Sequence, residues 1–217
     1  MFNDRIQAGQ QLAEQLMSFK NSKPVILGLP RGGVPVAAEV ASALDAPLDI
    51  IVVRKLGLPG HSEYAMGAIG EGDVRYVDWK VVSEFGVSAS ELARVVEREQ
   101  VELRRRAVRY RADRPRIDVG GRTVIIVDDG IATGSTVLAA VRVARALGAQ
   151  SVVAATPVAP PDTVARLRRV ADQVVVVETP TPFYAVGQAY LEFGQTDDDE
   201  VTRILGRSQT DHMDPAA

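Results

Sequence analysis

The sequence predicts an α/β fold, an open parallel sheet flanked by helices on both faces. Three observations carry this. Short apolar runs (PVILGL at 24–29, LDIIVV at 48–53, VIIV at 124–127, SVVAA at 151–155 and QVVVV at 173–177) alternate with segments of helical periodicity. The runs are nearly continuous rather than alternately apolar and polar, as expected of parallel strands covered on both sides. The 217 residues are 46 % hydrophobic and 24 % charged, which suits one medium domain with a sizeable core.

The elements follow in order. Ile6, Leu12, Leu16 and Phe19 recur at helical spacing and predict a helix over about 4–20. A strand at 24–29 leads through Pro30-Arg31-Gly32-Gly33 into an alanine-rich helix over 34–44. The second strand, 48–53, ends in Arg54-Lys55. Residues 56–78 are rich in glycine, and 65–69 with 74–77 read as a hairpin around Gly70-Glu71-Gly72-Asp73. A long glycine-rich connection of this kind is expected to be a flexible lid. Ser88-Ala89-Ser90-Glu91 has the form of a capping box. The helix it opens runs to about Arg111, with an apolar stripe of Leu92, Val96, Leu103, Ala107 and Tyr110. A third strand at 124–127 precedes a helix over 135–147, closed by Gly148. A fourth strand, a helix from Pro161 to about Val170 and a fifth strand complete the alternation. Beyond Glu178 the stretch TPTPFYAVGQAYLEFGQ breaks the pattern, and 197–205 reads as a short helix with an acidic first turn. The whole chain, 1–217, is read as one domain. Its core covers about 20–180, with a lid at 56–78, a helical insertion at 80–115, a hood at 178–206 and a tail from 207.

Composition excludes some classes. A formal net charge of −3 gives no whole-protein attraction to nucleic acid or an anionic membrane. The cluster Arg104-Arg105-Arg106 reads as a solvated helix face. The absence of cysteine removes disulfides and thiolate metal sites. No apolar stretch approaches the ~20 residues of a membrane span, and the first residues are too polar for a secretory signal. A cytoplasmic protein is expected.

The chemistry concentrates in VIIVDDGIATGST, residues 124–136. Asp128 and Asp129 stand at the carboxyl end of a strand, where open parallel sheets bind ligands. Thr133-Gly134-Ser135-Thr136 leads into a helix, whose first N–H groups and positive dipole end suit a phosphate. Carboxylates would repel that phosphate, so they are expected to face hydroxyl groups or a metal. A ribose 5-phosphate satisfies both halves. No Gly-Lys-Ser/Thr ending marks a P-loop, and Gly28, Gly32 and Gly33 do not make a dinucleotide fingerprint.

At this point the sequence resembles the phosphoribosyltransferases of the type I fold. Four apolar residues, two acids, two variable positions and Ala132-Thr133-Gly134-Ser135-Thr136 match that family's signature at every defined position. The resemblance implies a type I phosphoribosyltransferase-like sheet with a small hood from the terminal segments and a flexible hairpin loop. It implies that Asp128 and Asp129 hold the ribose of phosphoribosyl pyrophosphate (PRPP), and that 132–136 hold its phosphate. It also implies that Arg31, Gly32, Arg54 and Lys55 receive pyrophosphate, with a cis peptide expected between Arg31 and Gly32. Lys55, Arg31 and Asp129 are the expected catalytic residues. Mg²⁺ is the expected cofactor, met by Asp128 and Asp129 only indirectly, through ribose or water. Phe183 and Tyr184 are candidates to stack on the acceptor, with packing in the hood an equal reading for these two and for Tyr190 and Phe193. His61 and Glu63 read as polar lid residues, with substrate or metal contact the sharper alternative.

The implied activity is transfer of the phosphoribosyl group to a nucleobase or other nitrogen acceptor. The expected partners are PRPP and that small acceptor, with a homodimer as assembly and nucleic acid not expected. The alternative class is a non-catalytic sensor of PRPP or nucleotide with a nucleic-acid face on helix 91–111.

Overall fold

The computed structural model describes residues 1–111 and 114–210, with the backbone alone at 62–63 and 208–210. In chain order the elements are α1 (Arg5–Leu16), β1 (Val25–Gly28), α2 (Gly33–Leu44), β2 (Leu48–Ile50), β3 (Val53–Leu58), β4 (His61–Gly70), β5 (Arg75–Val77), α3 (Trp79–Glu84), α4 (Ala89–Arg111), β6 (Thr123–Val127), α5 (Ser135–Ala146), β7 (Ser151–Val158), α6 (Pro161–Leu167), β8 (Gln173–Glu178) and α7 (Asp198–Thr210). Five strands form a parallel sheet in the order β2-β1-β6-β7-β8.

Period-two geometry explains the continuous apolar runs. Ile26, Ile125, Val127, Val153 and Ala155 point to one face, where they pack with Leu12 and Leu16 of α1, Val36 and Val40 of α2, and Val201 and Leu205 of α7. Val25, Leu27, Val124, Ile126, Val152 and Ala154 point to the other, against Val137, Val141 and Val143 of α5 and Val164 and Leu167 of α6. Both faces of these strands are therefore buried, and no polar alternation survives.

The run at 48–53 is not one strand. β2 ends at Ile50, and the Ile51 N–H donates to the Gly28 carbonyl at 3.1 Å. The chain then leaves the main sheet, and Val53 opens a second, antiparallel one in the order β3-β4-β5. Ile51 and Val52 are buried in the two opposite cores, so the sequence stays apolar across the break. Arg54 and Lys55 consequently lie within β3, not at the end of a core strand. The glycine-rich segment is this second sheet. The hairpin read at 65–69 and 74–77 falls within β4 and β5, with Gly67 opposite Val77. Helix α3 had no expectation behind it; Asp78 caps it by accepting from the Val81 N–H at 3.3 Å. The capping box at Ser88 forms in both directions, Ser88 N–H to Glu91 Oε2 at 2.9 Å and Glu91 N–H to Ser88 Oγ at 3.3 Å. Helix α6 stops at Leu167 and α7 runs on to Thr210.

A buried charge network joins the two sheets. Arg111, at the end of α4, is 6 % exposed. Its Nε donates to Asp49 Oδ1 at 2.9 Å, its Nη2 to the Ile50 carbonyl at 2.7 Å, and its Nη1 to Glu71 in the β4–β5 turn. Asp49 Oδ2 accepts from the Ile117 N–H at 3.0 Å. One guanidinium thus neutralises a carboxylate of the main sheet and one of the hairpin. Its removal takes the counter-charge from two enclosed carboxylates, which costs far more than loss of an exposed pair. Arg111→Ala is expected to lower stability by about 3–5 kcal/mol. Arg105→Ala, which breaks a solvent-facing pair with Glu102, is expected to leave stability nearly unchanged. Urea unfolding of both variants, compared at the same m-value, checks the contrast.

Candidate active site

Adjacent parallel strands bring the two loops of interest together. β6 delivers Asp128 and Asp129 just beyond its last residue, and β1 delivers the loop 30–33 beside them. The Leu29 N–H donates to the Val127 carbonyl at 2.8 Å, which locks the two strand ends in register. The approach is so close that a Cβ on Gly32 would lie 2.0 Å from Asp129 Oδ2, and one on Gly33 would lie 2.6 Å from the Val127 carbonyl oxygen. Only residues without a side chain fit there. The peptide between Pro30 and Arg31 is cis, one bond earlier than the expected Arg31–Gly32 pair. The Arg31 guanidinium faces Asp198, 3.8 Å away at the start of α7.

On the other side of the acids, residues 132–136 lead into α5. Gly134 takes a left-handed conformation at φ +73° and caps the helix. Two loop carbonyls are turned toward α6: Thr163 Oγ1 donates to the Ala132 carbonyl at 2.6 Å, and Arg166 Nη2 to the Thr133 carbonyl at 3.0 Å. Thr133 and Ser135 bring their hydroxyl oxygens within 3.2 Å of each other. With its carbonyls held from behind, the loop offers hydroxyls and the first N–H groups of a 12-residue helix to an incoming anion.

The two acids are not equivalent. Asp129 Oδ2 lies 2.8 Å from both Nε and Nη2 of Arg5, and the two side chains are 14 % and 13 % exposed. The Tyr190 hydroxyl donates to the Asp129 backbone carbonyl. Among the described residues no cation lies in hydrogen-bond range of Asp128; its Oδ1 accepts the Asp129 N–H at 3.0 Å. Burial first, and the neighbouring Asp129 charge second, push its carboxyl well above the usual aspartate range. Burial and the same charge also push the Tyr190 phenol up.

The remaining expected residues divide. Arg54 faces α4, where Glu99 Oε2 receives its Nη2 at 2.6 Å and its Nε at 2.9 Å. Lys55 alternates to the opposite side of β3, the side on which Val53 packs toward α5, and is exposed. The structure therefore turns Lys55 and Arg54 apart. Phe183 lines a cavity of about 240 Å³ with Val158, Pro182, Gln188 and Ala189, at the carboxyl ends of β7 and β8. Tyr184 is 77 % exposed, Tyr190 is buried against Phe2, and Phe193 stacks on Tyr190 at 5.0 Å. His61 is exposed at the start of β4. The Glu63 side chain, His212 and the tail beyond 210 lie outside the described residues.

Arg5, Thr163, Arg166 and the placement of Tyr190 were not anticipated. Each reaches the acid pair or its loop from a segment distant in sequence, and none carries a local motif. Arg5 in particular is an ordinary basic residue at a helix start.

A parallel sheet whose central strand ends in paired acids beside a glycine-and-hydroxyl loop, with helices on both faces, defines the type I phosphoribosyltransferase fold. The chain belongs to the phosphoribosyl transferase domain family, whose family model matches residues 3–192. It is 51 % identical over 217 residues to a Mycobacterium tuberculosis protein named "Putative phosphoribosyl transferase", and it spans about half (49 %) of that relative's length. Over 69 residues, 30 % of the chain and 25 % of the relative, it is 46 % identical to a ribose-phosphate pyrophosphokinase of Pyrococcus furiosus. Among solved structures it matches the protein TT1426 of Thermus thermophilus with a TM-score of 0.89 and 45 % identity, covering 94 % of this chain and 97 % of that one.

The raised Asp128 carboxyl has a consequence for stability. Between the ordinary value near 3.8 and the raised one, the folded protein keeps a proton that the unfolded chain has released. Stability is therefore lost as pH rises through that window. Asp128→Asn carries no such charge. Its melting temperature is expected to exceed that of the parent at pH 8, with the gap closing as the pH falls toward 4. Thermal melts across this range check it; a gap independent of pH would contradict the assignment.

Proposed function

We propose that the protein is a Mg²⁺-dependent phosphoribosyltransferase. It moves the 5-phosphoribosyl group of PRPP to a nucleobase or other nitrogen acceptor and releases pyrophosphate. The observation that carries the reading is the packing of the Asp128–Asp129 pair between the 30–33 loop and the α5 loop. In one place it offers carboxylates for hydroxyls and N–H groups for a phosphate, with the glycine backbone of the 30–33 loop packed directly against the acids. Family membership supports the transferase class. The chemistry of a local relative, a ribose-phosphate pyrophosphokinase, concerns the same sugar phosphate.

In this reading the ribose 5-phosphate group is held by Ala132, Thr133, Gly134, Ser135 and Thr136, and the ribose hydroxyls by Asp128 and Asp129. The pyrophosphate group lies against Arg31 and Gly32. The acceptor nitrogen gives its lone pair to the anomeric carbon as the bond from that carbon to the pyrophosphate oxygen breaks, through a transition state of oxocarbenium character. Arg31 and Lys55 stabilise the charge that gathers on the leaving group. Arg54 is bound to Glu99 and would have to exchange that partner to contribute. The cavity beside Phe183 takes the flat acceptor ring, and Tyr184, next in sequence, is exposed.

Among the described residues no cluster of three or more His, Asp or Glu side chains gathers as a metal cage. The donor set fits an ion that arrives on its substrate: Asp128 and Asp129 would meet Mg²⁺ through ribose oxygens or water. Bound there, the ion neutralises pyrophosphate charge. The reading also includes a cytoplasmic location and a homodimer. No helix of the described residues is long and apolar enough to cross a membrane.

Most arginines of α4, the helix considered above as a nucleic-acid face, are paired within the chain, while Arg94 lines the cleft beside the β3–β4 turn. Arg98, Arg104, Arg105, Arg106, Arg109 and Arg111 each lie within ion-pair distance of a carboxylate of this chain. Those pairs occupy the charge that phosphates would need.

Calorimetric titration with PRPP, with and without Mg²⁺, tests the proposal. Saturable binding that depends on Mg²⁺ is expected. Asp128→Asn combined with Asp129→Asn is expected to weaken it by about 100-fold or more, as two hydrogen bonds to charged groups are lost, while circular dichroism shows an intact fold. Pyrophosphate release with nucleobases and amines then separates enzyme from sensor. A folded double variant that binds PRPP as the parent does would overturn the site.

A further inference from the structure

We propose that Arg5 is the positioning residue for Asp129. It fixes the orientation in which that carboxylate receives the ribose hydroxyls, and so sets how strongly the site distinguishes a ribosyl from a 2-deoxyribosyl group. The inference rests on the phosphoribosyl reading above and adds to it a residue from outside the signature.

Arg5 is held on every side. Its Nε and Nη2 both meet Asp129 Oδ2 at 2.8 Å, and its Nη1 donates to the Gly194 carbonyl at 2.6 Å. Its guanidinium carbon lies 4.1 Å from the centre of the Phe193 ring. Phe193 stacks on Tyr190, whose hydroxyl donates to the backbone carbonyl of Asp129 itself. The backbone and the carboxylate of Asp129 are thus gripped by one continuous stack.

The grip is directional. Both arginine contacts go to Oδ2, the oxygen turned toward Gly32. Among the described residues no hydrogen bond reaches Oδ1. A carboxylate anchored by one oxygen presents the other in a fixed direction, and its lone pairs suit a hydroxyl donor. A phosphate monoester gains little from this arrangement, because its dianion, which prevails above a second pKa of about 6, has no proton to donate. The contacts therefore bear on the sugar hydroxyls and not on the phosphate held by the α5 loop.

Arg5 is itself pre-placed. Phe2 N–H donates to the Ala189 carbonyl at 2.7 Å, Leu191 N–H to Phe2 at 2.9 Å, and Glu192 N–H to Asn3 at 2.8 Å. Asp4 then caps α1 by accepting from the Gln7 N–H at 2.8 Å. A planar fork with several donors can hold an oxygen, a carbonyl and a ring at once; a lysine ammonium cannot.

Calorimetry with ribose 5-phosphate, 2-deoxyribose 5-phosphate and inorganic phosphate tests the inference on the parent protein, Arg5→Gln and Arg5→Lys. The parent is expected to bind the ribosyl compound more tightly than the deoxy one. In Arg5→Gln the ribosyl affinity is expected to fall about tenfold, while the deoxy and inorganic phosphate affinities change less than about twofold. Arg5→Lys is expected to lose most of the discrimination despite keeping the charge. Should Arg5→Gln fail to fold, Arg5→Lys decides alone. Full discrimination in a folded variant overturns the inference, as does an equal loss for all three ligands, which marks a structural role. A parent protein that binds neither sugar phosphate overturns the phosphoribosyl reading and this inference with it.

Discussion

The close approach of two strand ends is the constraint on which the candidate site depends. β1 and β6 are neighbours in the sheet, and their loops leave it at the same level. No atom fits between Gly32 and the Asp129 carboxylate. A site that handles a ribose with anions at both ends needs an acid pair within a few ångströms of anion-binding backbone. Acid and anion cannot share a surface unless each faces a different part of the ligand. Here the sheet provides the separation: acids on the strand axis, one loop to the β1 side, and the other opening α5. The raised Asp128 carboxyl is the electrostatic signature of this crowding: burial and the neighbouring Asp129 charge raise it, while the nearby guanidinium of Arg5 is bound to Asp129.

The second constraint holds the hairpin sheet in place. Glu71 sits in the turn between β4 and β5, with Oε1 enclosed and without a hydrogen-bond partner. Among the described residues Arg111 is the cation paired with the Glu71 carboxylate, and it is shared with Asp49 on the main sheet. The base of the hairpin is thereby tied to the core, while the β3–β4 turn at Pro59-Gly60 lies at its far end. A cleft of about 520 Å³ separates that turn from the first turns of α4. Between the two ends the hairpin is packed down, with Leu56, Leu58, Met66 and Ile69 buried in the core.

The main sheet, its helices and the acid pair were legible because each has a local cause. Continuous apolar runs mark doubly covered strands, Ser88 and Gly148 mark helix ends, and the acid–hydroxyl signature occupies thirteen consecutive residues. What stayed hidden was decided by tertiary contacts. The break after Ile50 left no mark, since Ile51 and Val52 are both buried, one in each core. Arg54 and Lys55 look alike as a basic pair, yet strand alternation turns one to Glu99 and leaves the other exposed. Arg5 lies 124 positions from the carboxylate it holds, and no pattern within α1 distinguishes it from the other polar residues of its exposed side.

This division follows the chemistry. The half of the site that, in the proposed reading, would handle sugar and anions uses backbone groups and short side chains at strand ends, so it is written in contiguous sequence. The half that would choose an acceptor is built from both terminal segments, with Phe2 and Asn3 laddered to 189–192 and Phe183 lining the neighbouring cavity. Aromatic and aliphatic linings can exchange roles without leaving a spacing rule, so acceptor choice is the least legible property of the chain. Asp129 is where the halves meet. It is contacted through its carboxylate by Arg5 of the amino-terminal segment and through its carbonyl by Tyr190 of the carboxyl-terminal one. A change in the terminal segments that shifts the Tyr190–Phe193–Arg5 stack therefore acts on Asp129 as well, so the proposed acceptor and sugar halves would be mechanically one.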